Sequence, residues 1–139
     1  MSYCSSVGIV LLEKDYNEMI KEENFFEYMK NSKFTSYYYD DPVPSNEELY
    51  NDLMFLLEAA AKTQTIEYEG ESCKYISLIC VQWYSRYPQV AYIMNYLKEL
   101  DFYQYLRVGE DLDDFEKRSK KCDYLGFRRE ILPYSDDFW

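Results

Sequence analysis

Carboxylates are the one kind of reactive side chain this sequence concentrates, and they fall in two runs. Residues 34–61 hold Asp40, Asp41, Glu47, Glu48, Asp52 and Glu58 with no Lys or Arg among them. Residues 110–116 hold Glu110, Asp111, Asp113, Asp114 and Glu116, again with no cation. Rows of carboxylates can solvate a surface, chelate a hard divalent cation, or imitate nucleic-acid phosphates. The third role is physically reasonable, because duplex DNA carries one charge per about 1.7 Å of axis and its binders match it with rows of Lys and Arg. Tyrosines interleave with the first run, Tyr37, Tyr38, Tyr39 and Tyr50 among them, and such rings add rigid contact area to an interface. Tyr39, Asp40, Asp41, Glu47, Glu48, Asp52, Glu110, Asp111, Asp113 and Asp114 are therefore the candidate contacts to a basic protein partner.

The whole composition points the same way. There are 26 Asp and Glu against 15 Lys and Arg, for a net charge of −11 over 139 residues. Such a surface opposes direct nucleic-acid binding and contact with an anionic membrane, and steers basic proteins towards it. The chain has no His, which removes the commonest general base and zinc ligand, so neither a Ser-His-Asp nor a Cys-His site can be assembled within it. The enzymatic alternative is a divalent-metal phosphoesterase at 110–116. An EF-hand begun at Asp111 fails, because Glu116 stands where the loop needs Gly and Cys122 where it needs Glu. With four glycines and no phosphate-loop pattern, no nucleotide or other cofactor is expected. The cations that follow the second run, Lys117, Arg118, Lys120 and Lys121 and then Arg128 and Arg129, are expected to pair with the neighbouring acids across strands. Unmatched acid then concentrates in residues 34–61.

Cys4, Cys73, Cys80 and Cys122 include no C-x-x-C pair and are expected as reduced, core-filling thiols. The start MSYCSSVGIVLLEKDY has no basic leader region, and no stretch approaches a membrane span. These features together predict a cytoplasmic protein with no membrane contact.

The elements that must position the acids read as follows. VGIVLL at residues 7–12 suits a buried strand. Tyr16, Met19, Ile20, Phe26 and Met29 fall near helical spacing and predict one helix ending near Asn31. Ser45 and Glu48 form a capping box for a helix whose apolar stripe is Leu49, Leu53, Leu56, Leu57 and Ala60. TIEYEGESCKYISLICVQWY predicts a hairpin turning at Glu69-Gly70-Glu71. Pro88 opens a further helix, residues 103–119 suggest two strands about the acidic turn, and GFRREILPY a last strand. This order is not a βαβ alternation. It predicts a single α+β domain over 1–139, a mainly antiparallel sheet of about five to six strands packed with about three helices.

The stretch Tyr105 to Asp111 (YLRVGED) followed by Leu112 to Glu116 (LDDFE) is similar to a hydrophobic-Arg-hydrophobic-Gly-Glu-Asp pattern in small acidic proteins of phages and other mobile elements. The chain resembles that class as a short, Tyr-rich, His-free, acidic α+β sequence. The resemblance implies a non-enzymatic inhibitor of a host defence protein, of the anti-restriction or anti-CRISPR type, acting by phosphate mimicry in a nucleic-acid channel. An immunity protein neutralising a toxin nuclease, and a structural subunit of a phage or cellular assembly, are the alternatives.

Overall fold

The computed structural model describes residues 3–32, 42–111 and 113–125. The run VGIVLL becomes the middle strand of a five-stranded sheet, β1 (Ser5–Leu12), which is buried along nearly its whole length. A strand apolar on both alternating faces can occupy only such a position. The remaining strands are β2 (Lys62–Tyr68), β3 (Glu71–Val81), β4 (Tyr103–Gly109) and β5 (Phe115–Lys120), in the spatial order β2-β3-β1-β4-β5. All four neighbouring strand pairs are antiparallel. The predicted last strand, GFRREILPY, lies outside the described residues.

Register sorts the apolar residues between the two faces. Val7, Ile9 and Leu11 share one face with Ile76, Leu78, Tyr103 and Tyr105, and helices α1 (Glu13–Met19), α2 (Glu22–Lys30), α3 (Asn46–Phe55) and α4 (Pro88–Lys98) belong to the core on that side. On the other face Val10, Cys73, Tyr75 and Leu106 pack with Cys122 and Leu125. The protein is thus α+β, as expected, with four α-helices among the described residues where about three were expected. The hairpin also forms where expected. Glu69 and Gly70 take φ of 52° and 81°, the left-handed pair that matches a two-residue turn to strand twist.

The additional helix arises from a break. The single helix predicted up to Asn31 divides at Ile20–Lys21, where Lys21 is extended (φ −71°, ψ 131°). A continuous helix advances about 100° per residue, so Met19 and Phe25 would point about 120° apart. With the break both are fully buried. Phe25 meets Tyr92 edge-on at 5.1 Å between ring centres and also touches Tyr50. Truncation at such a site, Phe25→Ala, costs about 3–5 kcal/mol. The Tyr92 hydroxyl donates to the Met19 carbonyl at 2.6 Å, tying α4 to the end of α1.

α3 runs directly into one π-helical turn, Leu56–Ala60, closed by the Ala61 N–H donating to the Leu56 carbonyl at 2.9 Å. The wider turn buries Leu57, whose carbonyl accepts from the Thr63 hydroxyl at 2.9 Å. Such turns are rare and recur at functional sites.

The expectation of four reduced thiols is corrected. Cys4 and Cys80 form a disulfide, while Cys73 and Cys122 are free and buried. The pairing of β1 with β3 sets Ser5 opposite Val81, with a register shift between Ser5 and Val7, and brings the two Cα atoms to 4.8 Å. A sequence separation of 76 hid the pair. Among the described residues no helix is long and apolar enough to cross a membrane.

Candidate functional site

Of the first acidic run, Tyr39, Asp40 and Asp41 lie outside the described residues. Glu47, Glu48 and Asp52 lie on α3, whose start follows the capping chemistry read from sequence. The Glu48 N–H donates to Ser45 Oγ at 3.1 Å, and the Ser45 N–H and hydroxyl reach back to Glu48 Oε1 at 3.5 and 3.2 Å. Glu48 therefore serves the helix as well as the surface. Leu49, Leu53 and Leu57 face the core, leaving Glu47, Asn51, Asp52, Phe55 and Glu58 outward. Phe55 is 65% exposed. None of the ion pairs among the described residues involves these carboxylates. Partial burial, followed by the charge of Glu48, raises the pKa of Asp52 above its ordinary value.

The second run behaves differently, because Arg107 of β4 consumes it. Its Nη2 donates to Asp114 Oδ1 at 2.7 Å, its Nη1 to Asp114 Oδ2 at 3.2 Å, and its Nε to Glu116 Oε1 at 2.7 Å. Glu116 sits directly opposite Arg107 in the β4–β5 register. Asp114 also accepts from the Tyr3 hydroxyl, which in turn accepts from the Asp111 N–H at 3.2 Å. Glu110 Oε1 accepts the Cys4 N–H at 2.8 Å. Asp111 and Asp113 have exposed side chains. The Arg107 and Tyr3 hydrogen bonds hold Asp114 down at a pKa of about 2. Burial alone pushes Glu116 up, but hydrogen bonding and charge from Arg107 overcome it and leave the group below its usual value. The hydrogen bond that Arg107 donates to Asp114 leads the effects that raise its pKa, against the opposing pull of burial. Gly109 closes the turn, its N–H donating to the Asp114 carbonyl at 2.8 Å. A Cβ there would fall onto the Asp114 carboxylate and the Tyr3 hydroxyl.

The expected cross-strand pairing of the late cations is corrected accordingly. Only Arg118 of that group reaches an acid among the described residues, Glu116 of its own strand at 3.4 Å, and Arg128 and Arg129 lie outside those residues. Lys120 donates to the Lys98 carbonyl at 3.3 Å. No hydrogen bond or ion pair among the described residues joins α3 to the 110–116 turn, so the two acidic runs do not form one constellation there.

What the structure assembles instead is a cleft of about 510 Å³ beside the Arg107 network, lined by Tyr3, Trp83, Tyr84, Arg86, Tyr105 and Arg118 among others. Trp83 Nε1 donates to the Tyr105 hydroxyl at 3.0 Å, and that hydroxyl donates to Glu116 at 3.2 Å. The Tyr84 hydroxyl accepts from the Tyr3 N–H and donates to the Tyr3 carbonyl, both at 3.0 Å. Arg86 lies over the rings of Tyr84 and Tyr87, 4.8 and 5.4 Å from their centres. Burial drives the Tyr105 pKa well above the ordinary tyrosine value. The shifts of Tyr105, Glu116 and Asp114 all run away from neutrality, which locks charges in place rather than poising a proton for transfer.

Sequence reasoning passed over this cleft because its residues come from β1 and the residues before it, β4, β5, α4 and the β3–α4 connection. Two signals were present: the WYSRY run at 83–87, and the one charged residue, Arg107, inside the strand YQYLRV. Among the described residues no three His, Cys, Asp or Glu side chains are grouped to hold a metal ion. Family models, curated proteins and solved structures yield no match to this chain.

Proposed function

We propose that this protein acts by binding rather than by catalysis, laying the outward face of α3 into a basic cleft of a nucleic-acid-binding partner. The observation that carries this reading is Phe55. It stands 65% exposed beside Glu47, Asp52 and Glu58 on a face with no cation partner among the described residues. A large ring ringed by charge has the composition of an interface anchor, with carboxylates that steer the encounter and a desolvated centre that holds it. The π-helical turn that follows Phe55 supports the same location. A metal phosphoesterase at the 110–116 turn is disfavoured, because Asp114 and Glu116 already spend their oxygens on Arg107.

A nuclease of a host defence system is the partner class that best fits a net charge of −11 combined with such a face. The immunity-protein alternative uses the same face against a toxin nuclease. Cytoplasmic placement sets the Cys4–Cys80 bond, whose Cys80 is exposed, against a reducing thiol pool. The test is capture from host lysate on immobilised protein, followed by elution with duplex DNA. A captured nuclease released by DNA, and lost with Phe55→Ser or with Glu47→Lys/Asp52→Lys/Glu58→Lys, is the expected result. Capture indifferent to both variants and to DNA refutes the reading.

A further inference from the structure

We infer that the cleft between Trp83, Tyr84, Arg86 and Arg118 is a binding site for a small planar anion of the nucleoside monophosphate class, held by ring stacking and guanidinium contacts.

The first argument is charge. The chain carries −11, yet the charged residues lining this cleft are Arg86, Arg107 and Arg118 against Glu116 alone. Counting Asp114, which also holds Arg107, still leaves one cation in excess. Exposed charges beyond about 8–10 Å are largely screened at physiological salt, so a small ligand in the cleft feels these guanidiniums more than the remote carboxylates. A polyanion, which must also lie along the acidic exterior, gains no such shelter.

The second argument is which guanidiniums are free. Arg107 is fully occupied by Asp114 and Glu116. Arg118 shares Glu116 at a long 3.4 Å and is 55% exposed. Arg86 makes no ion pair among the described residues and is carried instead on the Tyr84 and Tyr87 rings. Stacking fixes the plane of a guanidinium without consuming its N–H donors, which suit phosphate oxygens in pairs. Two such cations match a doubly charged phosphate better than a single carboxylate.

The third argument is shape. A volume of about 510 Å³ falls within the roughly 300–1,000 Å³ of pockets that take small ligands. Val90 and Met94 add apolar lining, and the half-buried Tyr84 ring supplies the accessible aromatic surface beside the edge of Trp83, which is 8% exposed and backed by the buried Tyr105. The Tyr84 hydroxyl is held from both sides by the Tyr3 main chain, and Trp83 is held by Tyr105. Binding therefore pays little to order these walls. The absence of a glycine-rich phosphate loop is no obstacle, because arginine side chains take the place of backbone amides here.

The test uses the full chain with Trp139→Phe, which leaves Trp83 as the one indole. Adenosine 5′-monophosphate is titrated by fluorescence and by calorimetry, with adenosine and inorganic phosphate in separate arms. Saturable quenching with Kd on the order of 10–100 µM is expected for a ligand of this size. Arg86→Gln and Arg118→Gln, both exposed residues, should each weaken binding about tenfold with an unchanged melting temperature, and either separate arm should bind at least about tenfold more weakly than the nucleotide. No saturation by about 5 mM overturns the assignment, and so does equal affinity in the two Gln variants. Adenosine binding as tightly as the nucleotide removes the anion from the proposal, and phosphate doing so removes the ring.

Discussion

Replacing Arg107 with Met tests whether the carboxylates of the β4–β5 turn serve the fold. The Arg107 side chain is 14% exposed and donates to Glu116, Asp114 and Ser5. Met keeps the length and the apolar stem but leaves both carboxylates without their cation. Removing one member of a buried ion pair costs about 3–5 kcal/mol. Asp114 and Glu116 are 32% and 37% exposed, so water recovers part of that loss and about 2–3 kcal/mol remains. An unfolding entropy of about 2.1 cal/mol/K per residue gives about 0.3 kcal/mol/K for 139 residues. The melting temperature at pH 6 should therefore fall by about 7–10 °C. The pH dependence supplies an independent check. Asp114 titrates at about 2 in the fold against an ordinary 3.8. A depressed carboxylate contributes stability that is present above its unfolded value and lost as pH falls through the folded one. The interval corresponds to at most about 2.4 kcal/mol, which screening at a carboxylate one-third exposed reduces to about 1 kcal/mol. Glu116 is lowered as well and acts with the same sign. Urea unfolding of both proteins at pH 6, 4 and 2.5, followed by near-UV circular dichroism, should show the gap between them narrowing by about 1 kcal/mol towards low pH. A loss under about 2 °C at pH 6, or a gap that is constant with pH, refutes the argument.

Two further expectations follow from local contacts. Thiol titration should find no reactive Cys in the native oxidised protein, two in denaturant (Cys73 and Cys122) and all four after reduction; alkylation trapping in cells reports which state persists there. Reduction should lower stability by about 4.5 kcal/mol on the chain-entropy account of a 76-residue separation, and a change below about 1 kcal/mol would show that residual β1–β3 contacts already constrain the unfolded chain. Ser45→Ala removes the cap hydrogen bonds of α3 and should cost about 1 kcal/mol in urea unfolding; no measurable loss would mean that water replaces the cap.

How much of this was legible depended on the range of the signal. β1, the Ser45–Glu48 cap and the Glu69-Gly70 turn are local patterns, in which a few adjacent residues set the backbone, and each appears where the spacing placed it. The Lys21 break was not legible, because Tyr16, Met19, Ile20 and Phe26 read acceptably as one helical stripe. Only the requirement to bury Phe25 and Met29 together with Met19 divides it. The disulfide and the Arg107 network were invisible for the same reason at longer range. Tyr3, Ser5, Arg107, Asp114 and Glu116 meet only once the register Ser5↔Gly109 and Arg107↔Glu116 is set. Asp114 and Glu116 of the second acidic run are for this reason an electrostatic clasp on Arg107. The α3 half had no such partner strand, and its carboxylates face outward as the helical period requires.

Charge in this molecule is therefore sorted by architecture rather than spread by composition. Carboxylates without cations ride on α3 in the helical layer, whereas Arg86 and Arg118 border the cleft. Arg107 and its two acids lie beside that cleft with a net charge of −1, which Arg118 on Glu116 offsets. The disulfide belongs to the same arrangement, since Cys4 adjoins Tyr3 and Ser5 while Cys80 lies three residues before Trp83, so the bond anchors both walls of the cleft to one end of the sheet. Cys80 itself takes a φ of 53°, a left-handed conformation that a non-glycine residue holds only where surrounding contacts determine it. Here the bond to Cys4 and the Cys80 N–H donated to Ser6 Oγ at 3.3 Å supply those contacts. Cutting the bond releases the strained residue and the Tyr3–Tyr84 wall together, whereas among the described residues the outward carboxylates of α3 make no ion pair with either wall. Ligand binding in the cleft should consequently depend on the oxidation state of Cys4 and Cys80, and partner capture by α3 should not.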